Sequence, residues 1–332
     1  MDPLATQTAL ARLIATLSAV GAPLQWMLLG ISLAVAVIAV VTPLRAYLRT
    51  ALTVLAVALI AGEGLLIWFH MRLYDLTVVV SPDSGAVTGH VAVPLWVESE
   101  KLYVWALIVA VMGILARRHA RELLPGVALI AALLGAAAVL SGKPFTEPLP
   151  SFLGQYIGYL QAVASGQPQA AYGAYQGMEA SRQYYYNTWF MWVHPPLLFI
   201  GYGAFAVSFV ATLQMLKTRF SAYETTAYRW ARLGFVPLTG GMLLGFPWAI
   251  MAWQGQSWWW SGKVNMSIML WFLYTAYLHA RLYLRRRGMW KWVAALAILS
   301  FFILVLTYLA TYIVPGAHSY ALAPIFAEEI LT

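Results

Sequence analysis

Eight apolar runs, near residues 24–44, 51–70, 101–116, 123–140, 187–214, 234–253, 266–283 and 289–314, leave this chain few folds to choose from. Each approaches or exceeds the length needed to cross about 30 Å of hydrocarbon as a helix, the third being the shortest. In lipid every backbone N–H and C=O has to be satisfied within its own segment, so such runs become helices. Only 10% of the residues are charged and 62% are hydrophobic, against roughly 25% charge in a soluble domain. The sequence therefore reads as an all-α, polytopic integral membrane protein of about eight transmembrane helices, a single membrane domain over residues 1–332. Two long connections, 71–100 and 141–186, are rich in Pro, Gly, Ser and Tyr. In the second, Phe152, Tyr156, Tyr159 and Leu160 recur at helical spacing, which predicts short helices there. Residues 1–22 are mixed in composition, with Asp2 early, and do not read as a cleavable signal.

The loops alternate in charge. Arg45 and Arg49; Arg117, Arg118 and Arg121; Lys217, Arg219, Arg229 and Arg232; and Arg281, Arg285, Arg286, Arg287 and Lys291 fall in one set, fourteen of the twenty basic residues. Most acids fall in the other. By the positive-inside rule the basic set is cytoplasmic. Both termini, the two long connections and residues 253–265 then face outward from a cell inner (plasma) membrane. The net charge of +8 follows from this topology, with membrane lipid as the neighbour and no nucleic acid as partner. There is no Cys, which excludes disulfides, thiolate metal sites and Cys nucleophiles.

Residues 253–265 read Trp-Gln-Gly-Gln-Ser-Trp-Trp-Trp-Ser-Gly-Lys-Val-Asn. Four tryptophans (Trp253, Trp258, Trp259, Trp260) in one short polar segment exceed an ordinary interfacial belt and suit a large planar ligand. Two histidines are expected on the same membrane face. His194, in Trp-Val-His-Pro-Pro-Leu-Leu, opens the fifth span, with Pro195 and Pro196 suited to a first helical turn. His318, in Pro-Gly-Ala-His-Ser-Tyr, follows the last span. The pair fits the two axial ligands of a heme iron, or the ligands of another metal, or two interfacial histidines bonded to backbone or water. His279 lies within the seventh span, where an ionisable residue is a functional candidate by default. Glu63, inside the second span two turns from His70, pairs with that histidine or a water, or is bonded in a helix interface. His119 reads as part of a solvated basic loop and His90 as surface.

At these residues the chain resembles the heme-handling, tryptophan-rich-loop family of cytochrome c biogenesis, the heme lyases of the CcmF/CcsA type. Val193-His194-Pro195-Pro196-Leu197-Leu198-Phe199-Ile200-Gly201-Tyr202, the tryptophan loop, Tyr277-Leu278-His279-Ala280-Arg281 and Pro315-Gly316-Ala317-His318-Ser319-Tyr320 match in order. The likeness is strongest over 185–325. It is weaker over 70–115, where Tyr74-Asp75-Leu76 and Pro94-Leu95-Trp96 carry it. The resemblance implies heme b as ligand and substrate. Trp258, Trp260 and Gly255, beside Trp253 and Trp259, would be its platform, and His194 and His318 the axial ligands of its iron. His279 would match a histidine for heme within the membrane. It implies further that the heme vinyl groups are presented to the Cys-x-x-Cys-His thiols of an apocytochrome c, forming thioethers. The chain would then be a heme lyase (holocytochrome c synthase), or a subunit of one, working with other cytochrome c maturation subunits.

The loop departs from the family pattern Trp-Gly-x-x-Trp-x-Trp-Asp-Pro-x-Glu. Gln254 stands for the first Trp, Ser261 for Asp, Gly262 for Pro and Val264 for Glu. Lys263 is left as the loop's only charge, suited to a heme propionate. Those losses motivate a second reading: a membrane scaffold or electron-transfer subunit of a respiratory complex that keeps the fold without synthase activity. A transporter rests only on helix count and Glu63.

Overall fold

Asp2 starts the first helix. Its carboxylate accepts the N–H groups of Leu4 (3.0 Å) and Ala5 (3.3 Å), and Pro3 takes the first helical position, where no N–H is needed. Helix α1 then runs Pro3–Val40 without a break. It begins well before the expected 24, because Leu10, Leu13, Leu17, Gly21 and Leu28 hold one buried stripe at helical spacing through the mixed residues. At 38 residues it is about 57 Å long, more than a bilayer core.

The computed structural model describes residues 2–116, 120–253, 258–284 and 288–314. Helices follow at α2 (Leu48–Leu76), α3 (Lys101–Leu115), α4 (Ala120–Ala137), α5 (Pro150–Ala164), α6 (Pro168–Ala180), α7 (Trp189–Thr218), α8 (Ser221–Ala252), α9 (Gly262–Leu284) and α10 (Trp290–Ile313). Among the described residues six helices are long and apolar enough to cross a membrane: α1, α2, α4, α7, α8 and α10. The other two expected spans form helices outside that set. α3 has only 15 residues, and α9 carries Asn265, Ser267, Thr275 and His279 along its length. The protein is an all-α polytopic membrane protein, with one small exception. Val78–Val80 (β1) and Val87–His90 (β2) pair as an antiparallel hairpin inside the segment 71–100, too short to stand out from the surrounding turn residues.

The contacts divide the chain into two compact units, Met1–Ala110 with Ala128–Val193 and Val111–Val127 with His194–Thr332. In the first, α1 packs along α2, and the segment 141–186 folds into the short helices α5 and α6. The expected face of α5 is buried: Phe152, Tyr156, Tyr159 and Leu160 all point inward. Its tyrosines bond to backbone. Tyr156 donates to Leu76 O (3.1 Å) and Val78 O (2.9 Å), and Tyr159 donates to Val80 O (3.0 Å) while accepting Val80 N–H (2.9 Å). The α5 N-terminus has no cap from its own sequence; Glu98, more than fifty residues earlier, accepts the N–H groups of Ser151 (2.7 Å) and Phe152 (3.0 Å). Burial pushes the Glu98 carboxyl up, opposed by those two donors and by the Lys101 charge. Asn187 accepts Ala92 N–H (2.9 Å) and donates to His90 O (2.8 Å). Glu179 holds Arg182 and accepts the Thr88 hydroxyl (3.0 Å). The Arg182 hydrogen bonds keep the Glu179 carboxyl below its ordinary range.

In the second unit the helices meet through aromatic stacks and close backbone approach. Phe205 stacks on Tyr274 at 3.6 Å between ring centres, and Phe209 on Phe301 at 4.1 Å. Ser208 donates to Ala227 O (2.8 Å), and the Trp271 indole donates to Thr239 Oγ1 (3.0 Å). Lipid tails are as apolar as leucine, so helices here associate through fit rather than hydrophobic transfer, and small residues at the crossing matter. Gly201 and Gly234 supply that fit between α7 and α8: a Cβ on either would lie under 3 Å from the carbonyl oxygen of the other.

Candidate functional site

Helix α7 begins at Trp189, so His194 and the two prolines sit in its second turn rather than its first. The helix runs through both prolines although neither supplies an N–H to the carbonyl four residues before it. Pro195 has no N–H for Met191 O; the indole N–H of Trp96 donates there instead, at 2.6 Å. Trp96 also meets Trp192 edge-on, 5.6 Å between ring centres.

His194 is held by α8. Its Nδ1 lies 2.6 Å from Gly241 O, and since a carbonyl can only accept, Nδ1 carries the proton. In a neutral imidazole the lone pair is then on Nε2. The ring fits because α8 presents glycine one turn further on. A Cβ at Gly245 would lie 2.7 Å from His194 Cε1 and 3.3 Å from Nε2. The spacing Gly241-x-x-x-Gly245 on one helix face is thus what makes room for an imidazole.

A small cavity, about 60 Å³, opens beside this ring, lined by His194, Met242, Gly245, Phe246, Trp258 and Lys263 among others. Its walls are aromatic. Trp248 lies 5.9 Å from the His194 ring, tilted by 30°, and meets Trp253 edge-on at 4.8 Å. Trp258 stacks on Trp259 at 3.9 Å, and Trp259 on Phe246 at 5.6 Å. Of the four loop tryptophans, Trp253 and Trp258 are buried and Trp259 is half-exposed, while Trp260 is 81% exposed. Gly255 and His318 lie outside the described residues. Lys263, with its ammonium, comes from the first turn of α9.

The departures in the loop have local explanations. Ser261 immediately precedes α9, and its Oγ accepts the Val264 N–H at 3.4 Å. That is the N-cap contact an Asp would make in this position. An Asp-x-x-Glu pair would form a reciprocal capping box, of which the chain keeps the first half. At Gly262 a Cβ would lie 2.6 Å from Val314 Cγ1, so the start of α9 packs against the end of α10 where a proline ring could not fit.

His279 lies on the exposed face of α9, its Nδ1 donating to Thr275 O at 2.8 Å, which leaves Nε2 as the outward lone pair. A shallow hollow there is lined by Tyr228, Arg232, Phe235, Leu278 and His279. Two residues later Arg281 pairs with Glu224 and lies over the Tyr228 ring, 3.8 Å from its centre. His70 turns to Glu100 (2.8 Å) and not to Glu63. His90 stacks on Tyr74 and bonds Tyr74 O, and His119 lies outside the described residues. Sequence reading missed Gly241, Gly245, Phe246 and Trp248. The small-residue run Gly240-Gly241…Gly245 ahead of Trp248 was the available signal, but nothing local says that it faces a histidine.

Residues 95–318 match the family described as Cytochrome C assembly protein. The probable cytochrome c-type biogenesis protein NrfE of Escherichia coli (strain K12) is 37% identical over 149 residues, 42% of this chain and 26% of that protein. The cytochrome c-type biogenesis protein CcmF of Haemophilus influenzae is 36% identical over 138 residues, 40% of this chain and 21% of that protein. The cytochrome c biogenesis protein CcsA of Prochlorococcus marinus is 38% identical over 99 residues, 29% of this chain and 30% of that protein. The matched stretch thus spans less than a third of each of these relatives.

Proposed function

Because the chain belongs to the cytochrome C assembly protein family, we propose that it handles heme b in cytochrome c maturation, at the cavity beside His194. The observation that carries this reading is the Nδ1–H of His194 donating to Gly241 O, which leaves Nε2 as a lone pair beside an aromatic cavity. A backbone-bonded imidazole with a free Nε2 is the arrangement of a metal-ligating histidine with its supporting partner. The glycine cradle, the Trp258–Trp259–Phe246 stack and the Lys263 cation match the chemistry of a flat macrocycle with an apolar face and anionic propionates.

In this reading heme is substrate. His194 holds its iron from one side and His318 from the other, Trp253, Trp258, Trp259 and Trp260 with Gly255 shelter its edge, and Lys263 faces a propionate. His279 is a candidate for heme within the membrane. An apocytochrome c docks from the outer side of the inner membrane, with other maturation subunits. Each Cys thiol adds across a vinyl group: sulfur bonds to one vinyl carbon and a proton ends on the other. The addition is redox-neutral, so the protein's contribution is to hold thiol and vinyl together, and proximity can supply much of such a barrier.

The test is a reduced-minus-oxidised visible spectrum of the purified wild type beside His194→Ala and His318→Ala. A six-coordinate heme signal that is lost or shifted in both variants is the expected result. No heme in the wild type, under conditions where a known heme protein loads, would overturn the reading. The scaffold reading would then lead, favoured by Val264, which cannot complete the capping box.

A further inference from the structure

The first compact unit contains a group of ionisable side chains that the heme site does not use. His70 on α2 has its Nδ1 2.7 Å from Val93 O and its Nε2 2.8 Å from Glu100 Oε1. A carbonyl has no proton to give, so Nδ1 carries one. One more proton lies between Nε2 and Glu100. Whether it sits on nitrogen or oxygen, the pair as a whole is neutral. Glu100 is completely buried, and its Oε2 has no hydrogen-bond partner among the described residues. Oε2 of Glu63, two turns before His70 on α2 and within electrostatic reach of both His70 and Glu100, likewise has no hydrogen-bond partner among the described residues.

The remaining neighbours complete the charge count. From the turn before α3 come Glu98 and Glu100; from α3 come Lys101 and Tyr103. Lys101 acts on Glu98, which is also the group that accepts the two α5 N–H donors. These donors and the lysine favour an ionised Glu98. Tyr103 gives its proton to Leu59 O at 2.9 Å, with its oxygen pressed against Gly62 beside Glu63. Three carboxyls therefore face two bases, His70 and Lys101. His70 is bonded to Glu100 and the Lys101 charge acts on Glu98, and an uncompensated carboxylate inside a membrane helix is strongly disfavoured.

We propose that Glu63, His70 and Glu100 form a buried proton-binding site, in which the His70–Glu100 pair shares one proton and Glu63 holds a second as a neutral carboxylic acid. The site stands on this cluster alone and is independent of heme binding. Its ligand is a proton, and the orphaned oxygens of Glu63 and Glu100 are the places where an internal water would connect the two carboxyls.

Infrared spectroscopy of the full-length chain in lipid nanodiscs tests this at neutral pH, by following the carboxylic-acid C=O stretch and its shift in D2O. The wild type should show the band. Glu63→Gln should abolish it, since the remaining proton lies within the short His70–Glu100 bond and gives no free-acid stretch, and so should Glu100→Gln, since His70 is then left to Glu63, with Glu98 answered by Lys101 in both variants. His70→Gln should strengthen it, since two carboxyls must then be protonated. Glu98→Gln keeps the Glu63 proton in place and the band with it. No such band in the wild type, or a band lost in Glu98→Gln and kept in Glu63→Gln, would overturn the proposal. If Glu63→Gln does not fold, Glu63→Asp serves: the band should move in frequency, and an unmoved band would be equally fatal.

Discussion

The indole of Trp96 donates to the carbonyl of Met191 at 2.6 Å, the carbonyl whose helical donor is missing because residue 195 is proline. A proline inside a helix costs roughly 3 kcal/mol, part of it the lost hydrogen bond. A tryptophan from a different segment restores a partner for that acceptor, one turn before His194.

Trp96→Phe should therefore be destabilising by about 1–3 kcal/mol, the penalty of a buried acceptor left without a donor. The ring packing on Trp192 would survive. Thermal unfolding should show the loss, and amide exchange should quicken in the first turns of α7. Unchanged exchange there would mean that the carbonyl finds water.

The cradle around His194 makes a paired prediction. Gly245→Ala places a methyl 2.7 Å from His194 Cε1 and must displace the ring. It should weaken or shift the heme spectrum without removing any ligand. Gly240→Ala, on the same helix, meets only Leu197 Cδ1 at 3.8 Å, an ordinary contact, and should leave the spectrum as it is. Equal behaviour of the two variants would remove the cradle from the argument.

At the start of α9, Ser261→Ala should cost about 1 kcal/mol through loss of the N-cap, whereas Ser261→Asp should match or exceed the wild type. Gly262→Ala should destabilise more than an exposed substitution, because its methyl meets Val314. Denaturation midpoints of the three variants decide the order. Ser261→Asp falling below Ser261→Ala would show that the hydroxyl is not acting as a cap.

The Glu179–Arg182 pair gives a pH dependence of known sign. The folded state holds the Glu179 carboxyl below its ordinary range. Its contribution is then fully present above the ordinary carboxylate pKa, and it disappears as pH falls through the lowered value. Exchange in the β1–β2 hairpin, tied to Glu179 through Thr88, should accelerate on acidification. Glu179→Gln should flatten that response. Burial acts oppositely on Glu98, whose cost is relieved as pH falls, so acid should loosen the hairpin before the α5 N-terminus.

Most of the helices were legible in sequence, because an apolar run in lipid has one way to satisfy its own backbone. The inward face of α5 was legible too: a helical period is a local property. The family resemblance was legible for the same reason, since residues such as His194 and His279 stand in ordered local patterns. What those residues do was not local. Glu98 caps a helix that begins more than fifty residues later, and His70 chooses Glu100 over the nearer-in-sequence Glu63. Likewise Gly241 and Gly245 become the seat of His194 only because α7 crosses α8 at that height. Sequence by itself determined that this chain is an all-α polytopic membrane protein, and which histidines and tryptophans stand in the patterns that mark its family. Tertiary structure alone decided which histidine nitrogen is left free and which carboxyl loses its partner, since hydrogen bonds between distant segments depend on where helices cross and not on spacing along the chain.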